Sequence, residues 1–209
     1  MNKIKALFFD MDGVLVDAKD WHYEALNRAL KIFGMPISRF DHLTKFDGLP
    51  TKKKLEYLSL ERSLPKELHS FINEMKQIYT LEIINTICKP TFQHEYALAT
   101  FKSQGYKIAV CSNSIKNSIL TMMDRCALSN YIDLIMSNED VLNGKPSPEI
   151  YLKAMNYFNL KPEECLIIED NENGIKAAKD SGGHLLVVKN VLEVNYDNIN
   201  NAINSIHNI

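Results

Sequence analysis

The sequence predicts an α/β protein: a Rossmann-like parallel-sheet core with helices on both faces and an inserted α-helical domain. Three observations carry that expectation. Apolar runs of strand length alternate with helically spaced segments from about residue 90 to the end, the pattern of a parallel sheet built by right-handed crossovers. One more such run opens the chain at Ala6–Phe9. Between the two lie about seventy residues of helical pattern, longer than an ordinary connection between neighbouring strands.

Ala6, Leu7, Phe8 and Phe9 are an unbroken apolar run, as expected of a strand buried on both faces. Asp10 and Asp12 follow at once and project to the same side as the chain leaves the strand, and Gly13 permits a sharp turn. From Lys19 to Phe33, Ala25, Leu26, Ala29, Leu30 and Phe33 recur at helical spacing, and Gly34 with Pro36 ends the run. A short helix is expected over 38–46, then one capped by Thr51 that carries Leu55 and Leu58. Pro65 opens a long helix presenting Leu68, Phe71, Ile72, Met75, Ile78 and Tyr79 on one side. Residues 18–88 therefore read as a helical domain inserted between 1–17 and 89–209, with Pro90 marking the return. The remainder alternates: helix 92–103, strand Lys107–Ser112, a helix through Ile115, Ile119, Met122 and Cys126, strand Ile132–Ser137, helix 148–158, strand Cys165–Glu169, helix 172–181, strand Leu185–Val188, and a closing helix through Ile199, Ala202, Ile203 and Ile206.

Composition bounds the function. With 209 residues, 45% hydrophobic and 24% charged, the chain has material for a sizeable core. A net charge of -2 gives no electrostatic case for nucleic acid or an anionic membrane, and Lys52-Lys53-Lys54 reads as a solvated helix start. The first five residues run directly into the first strand, leaving no room for a signal peptide, and no apolar stretch approaches a membrane span, so a cytoplasmic protein is expected. Cys88, Cys111, Cys126 and Cys165 lack zinc-site spacing and read as buried, reduced thiols.

The chemistry lies at the expected strand ends, where open α/β sheets bind ligands. Two adjacent carboxylates repel each other, and a divalent cation relieves that. Mg²⁺ takes hard oxygen ligands, commonly one or two carboxylates with phosphate oxygens. A metal-held carboxylate can also attack phosphorus as a nucleophile. An acidic turn of this kind equally serves to begin a helix. Ser112 and Asn113 end the second core strand, suited to phosphate oxygens or to capping the next helix. Lys145, in Gly144-Lys145-Pro146-Ser147-Pro148, is a cation in a rigid turn, either solvated or placed to offset two Asp and a phosphate. Glu169 and Asp170 again set paired acids directly after an apolar strand.

Asp10-Met-Asp12-Gly13-Val-Leu15-Val-Asp17 resembles the first motif of the haloacid dehalogenase superfamily, and Ser112, Lys145-Pro-Ser-Pro148 and Glu169-Asp170 match its other three in order. The helical insertion is similar to the cap of the beta-phosphoglucomutase-like branch. The resemblance implies a Mg²⁺-dependent phosphatase of a small phosphomonoester, a sugar phosphate or related metabolite. In it Asp10 is the nucleophile that becomes an aspartyl-phosphate, and Asp12 is the acid for the leaving group and then the base for water. Ser112, Asn113 and Lys145 bind phosphate, and Asp10, Asp12 (through its carbonyl), Glu169 and Asp170 hold the metal. Asp17 stabilises the hinge to the cap. Specificity falls to the cap, where His22, Thr51 and Lys52 are the candidates. Mutases of this branch carry an Arg after a cap Gly, and Gly48-Leu-Pro-Thr51 has Thr at that place, which favours the phosphatase over the mutase. A sugar-phosphate mutase is the alternative, and a non-catalytic phosphometabolite-binding protein a third reading. With no coiled-coil heptads and the family's precedent, a monomer is expected.

Overall fold

The computed structural model describes residues 4–46 and 49–207; Gly48 lies outside them. The chain divides into two compact units, one made of the residues up to Asp17 together with those from Cys88 onward, the other of Ala18–Ile87.

The first unit is built on five parallel strands, β1 (Ala6–Phe9), β2 (Lys107–Cys111), β3 (Leu134–Met136), β4 (Cys165–Glu169) and β5 (His184–Val187), in the order β3-β2-β1-β4-β5. The first of these strands in sequence thus stands at the centre of the sheet. Leu7, Phe8 and Phe9 are all fully buried, as a strand covered on both faces requires. On one face Phe8, Cys111 and Ile167 pack against Tyr151, Ala154, Ala177 and Ala178. β3 is shorter than the expected Ile132–Ser137. Ile132 closes a 3-10 turn and the paired register begins at Leu134; Asp133, just before it, meets β2 through its N–H, donated to Ile108 O at 2.8 Å, and through its carboxylate, which accepts the Ile108 N–H at 2.9 Å and pairs with Lys102.

In the second unit, α1 (Lys19–Lys31), the single turn α2 (Arg39–Asp41), α3 (Thr51–Arg62) and α4 (His69–Ile87) enclose Leu26, Leu30, Phe46, Leu55, Leu58 and Ile72. A π-helical turn, His42–Phe46, follows α2. Thr51 is the first helical residue of α3 rather than its cap; Pro50 precedes it and no side chain caps the helix. The buried line of α4 also departs from expectation. It runs Ile72, Lys76, Thr80, Ile84, whereas Phe71 and Ile78 are exposed. Two polar residues stand on that line because each has a partner there: Thr80 Oγ1 donates back to the Lys76 carbonyl at 2.8 Å, and Lys76 Nζ lies 3.3 Å from His22 Nδ1 on α1. Among the described residues no helix is long and apolar enough to cross a membrane.

The α/β unit is completed by α5 (Phe92–Ser103), α6 (Lys116–Arg125), α7 (Glu149–Tyr157), α8 (Glu172–Ser181) and α9 (Tyr196–His207). Cys88, expected with the insertion, belongs to this unit and places its Sγ 3.3 Å from that of Cys126.

Candidate active site

Hydrogen bonding carries β1 and β2 one residue past their last paired positions and so fixes where the polar side chains emerge. Asp10 N donates to Ile168 O at 3.0 Å, and Ser112 N donates to Met136 O at 3.0 Å. Glu169 ends β4, with Asp170 next. Asp10, Ser112 and the Glu169-Asp170 pair therefore stand side by side on adjacent strand ends. Gly13 turns the chain immediately afterwards with φ 94°, a value that L side chains rarely adopt. Its N–H bonds Val16 O, while the N–H groups of Val14, Leu15 and Val16 all reach back to Met11 O.

Lys145 comes from the loop before α7 and is only 5% exposed. Its ammonium has three donors, and three acceptors meet it: Asp10 Oδ1 at 2.6 Å, Glu169 Oε1 at 2.6 Å and Cys111 O at 2.7 Å. Its backbone is gripped by Asn113, which accepts from Lys145 N at 2.9 Å and donates to Lys145 O at 3.1 Å. Tyr151 from α7 donates its hydroxyl to Glu169 Oε1, and its ring centroid lies 4.9 Å from the Lys145 ammonium. Gly174, near the start of α8, leaves the space that the Glu169 carboxylate fills.

Burial pushes the Asp10 carboxyl well above the usual carboxylate range; Lys145 opposes the rise, and the Glu169 and Asp12 charges add to it. For Lys145 burial acts downward, yet the Asp10 and Glu169 carboxylates outweigh it and raise the ammonium above the ordinary lysine value. The lysine stays charged. One ammonium does not balance the acids here, and carboxylate oxygens of Asp10, Glu169 and Asp170 all lie within 4.8 Å of one another. This is a hard-oxygen donor set of the kind that suits Mg²⁺, and these residues could hold such an ion.

Asp12 is half-buried, and its Oδ2 accepts from Ser114 Oγ at 3.1 Å. Ser112 is buried, with its Oγ accepting from Ser114 N at 3.1 Å. The α/β unit thus brings together Asp10, Asp12, Ser112, Asn113, Lys145, Glu169 and Asp170. In the helical unit His22 stands with Lys76, while Thr51 is half-buried at the start of α3 and Lys52 is exposed. Asp17 is exposed. Sequence reasoning missed Tyr151 and Lys76. For Tyr151 the only signal is a hydroxyl-tipped aromatic on an otherwise apolar helix face. For Lys76 it is a cation in register with Ile72 and Thr80.

Comparison with known proteins places these features in context. Residues 7–188 match the family described as haloacid dehalogenase-like hydrolase. A phosphorylated carbohydrates phosphatase of Thermotoga maritima is 30% identical over 182 residues, covering 86% of this chain and 82% of that protein. A phosphoglycolate phosphatase of Aquifex aeolicus is 31% identical over 179 residues, with 86% and 82% covered. The crystal structure of a beta-phosphoglucomutase from Clostridium difficile superimposes with a TM-score of 0.81 at 27% identity, covering 99% of this chain and 100% of that one.

Proposed function

The chain belongs to the haloacid dehalogenase-like hydrolase family and is a phosphoric monoester hydrolase, and on that premise we propose that it is a Mg²⁺-dependent phosphatase working through an aspartyl-phosphate on Asp10. The observation that supports this most is the grouping of buried Asp10 and Glu169 with half-buried Asp170 at adjacent strand ends, around the buried ammonium of Lys145. A carboxylate so enclosed has lost its water, and the bond from Lys145 fixes its orientation for in-line attack on phosphorus.

Lys145 keeps its charge and faces the negative charge of the transferring group, and Ser112 presents a hydroxyl from the next strand. Asp10, Glu169 and Asp170, with the Asp12 carbonyl, are the groups that would hold Mg²⁺, which when bound would supply further positive charge for the phosphoryl oxygens. Asp12 is less buried than Asp10 and is steadied by Ser114. It donates a proton to the leaving alcohol and then removes one from the water that hydrolyses the acyl phosphate. Asn113 belongs to the same phosphate-binding loop.

The names of the two phosphatase relatives favour a phosphorylated sugar or a related small acid as substrate. We assign the choice among them to residues 18–87, acting as a cap domain in which His22, with Lys76 beside it, and the Thr51-Lys52 helix start are the polar candidates. The structural likeness to a beta-phosphoglucomutase sustains a second reading, a sugar-phosphate mutase.

The test is phosphate release from a panel of sugar phosphates and phosphoglycolate with Mg²⁺, alongside EDTA-treated protein and Asp10→Asn. Release from wild type that disappears in both controls is the expected result. Conversion of beta-glucose 1-phosphate to glucose 6-phosphate without net phosphate release would replace it with the mutase. Release that persists undiminished in Asp10→Asn would refute the role of Asp10.

A further inference from the structure

Lys145 carries its charge on a flexible four-carbon stem, so the position of its ammonium depends on what anchors the two ends of the residue. At the far end, three acceptors hold Nζ. At the near end a single side chain, that of Asn113, takes both peptide groups of Lys145. This pairing is specific to a primary amide, which offers an acceptor and a donor side by side.

The loop is shaped for it. A β-carbon on Gly144 would stand 2.7 Å from Asn113 Oδ1 and 3.3 Å from its Cγ, so glycine is what lets the loop lie so close to the amide. Asn113 itself directly follows Ser112, whose backbone is fixed to the sheet through Met136. The amide therefore ties the Lys145 loop to the end of β2, the strand that also supplies Ser112 and the Cys111 carbonyl.

We propose that Asn113 is a positioning residue: its amide sets where the Lys145 ammonium stands, and thereby the rate of phosphoryl transfer more than the affinity for substrate. The proposal rests on the phosphatase reading above, in which Lys145 faces the transferring group. A purely structural version of the same clamp exists elsewhere for comparison. In the helical unit, Asn27 accepts from Ile37 N at 2.7 Å and donates to Ile37 O at 2.8 Å.

The experiment compares wild type, Lys145→Ala, Asn113→Ala, Gly144→Ala, the Asn113→Ala/Gly144→Ala double variant and Asn27→Ala. Each is read as kcat, KM, affinity for orthovanadate with Mg²⁺, and melting temperature. Wild-type turnover and its loss in Lys145→Ala report on the phosphatase reading. Vanadate affinity needs no turnover and so reports on Asn113 separately.

The expected result for Asn113→Ala is a fall of about 10- to 10²-fold in both kcat and vanadate affinity, with KM changed by less than about threefold. Gly144→Ala should show the same pattern, because its methyl displaces the amide, and the double variant should be no worse than Asn113→Ala alone. Asn27→Ala should lower the melting temperature without that split. Two results would overturn the proposal. One is an Asn113→Ala protein whose kcat and vanadate affinity stay within twofold of wild type. The other is a double variant in which the two single effects multiply.

Discussion

Substituting Gly174 by Ala sets two physical effects against each other, and the structure decides between them. Gly174 lies in the first turns of α8, where replacing glycine by alanine ordinarily stabilises a helix by about 0.5–1 kcal/mol. Here the added β-carbon would fall inside the van der Waals envelope of both Glu169 carboxylate oxygens. Glu169 is fully buried and cannot swing into water; its Oε1 is held by Lys145 and Tyr151, and its Oε2 accepts from Asp170 N. Making room means breaking at least one bond of a buried ion pair, a loss of about 3–5 kcal/mol. The net expectation is destabilisation by about 2–4 kcal/mol, equivalent to a melting temperature lower by roughly 4–16 °C for a chain of this size. Scanning calorimetry of wild type, Gly174→Ala, Glu169→Ala and the double variant reads it directly. With the carboxylate removed, the alanine should become neutral or mildly stabilising. A Gly174→Ala protein that melts at or above wild type would show that helix propensity governs this position and that the Glu169 cluster is not rigid.

Three further outcomes follow from the same network and its surroundings. Mg²⁺ added to EDTA-treated protein at about a hundred times its dissociation constant should stabilise it by about 2.7 kcal/mol; an unchanged melting temperature would remove the cation from the acidic cluster. Glu149 accepts the backbone N–H groups of Leu142 and Asn143, which with Lys153 lower its pKa from 4.5 to about 2. Its stabilisation is thus present above pH 4.5 and fades as the pH falls toward 2, so the gap in urea midpoint between wild type and Glu149→Gln should be open at pH 7 and close over that interval; a gap that widens toward low pH would refute the assignment. The four cysteines are all reduced and buried, and burial pushes the Cys111 thiol up to about 12 while the Cys126 thiol lowers that of Cys88. Iodoacetamide should modify the native protein slowly and Cys88 first, as peptide mapping would show. Labelling of Cys111 at the same rate would contradict it.

What could be read from the chain depended on how locally each feature is encoded. Ala6–Phe9 is legible because a fully buried strand needs every side chain apolar, and Asp10, Lys145, Glu169 and Asp170 because each directly follows a strand or sits in a proline-bounded turn. The start of β3 was not legible: the Asp133 carboxylate is engaged by Ile108 N and Lys102, partners 25 and 31 residues away. The inner line of α4 was misread for a related reason. Polar Lys76 and Thr80 occupy it by finding partners across the unit or one turn back, while Phe71 and Ile78 face outward, and a reading by apolar spacing favours the opposite arrangement. Tyr151 fits an apolar pattern so well that its hydroxyl passes unnoticed until Glu169 is seen beneath it. Asn113 is the converse. Its place in the motif drew attention, but its link to Lys145 spans the whole crossover from β2 to β3.

The central position of β1 has a consequence for how the protein comes into being. Ala6 pairs with Lys107 on one side and Cys165 on the other, so β1 has no strand partner until about a hundred further residues have been made. Its second flank stays open longer still. The helical unit, contiguous from Ala18 to Ile87, needs only nearby segments and can form while β1 waits. Asp10 therefore stays open to water until β4 arrives with Glu169 and Asp170, by which point Lys145, earlier in the chain, has already been made.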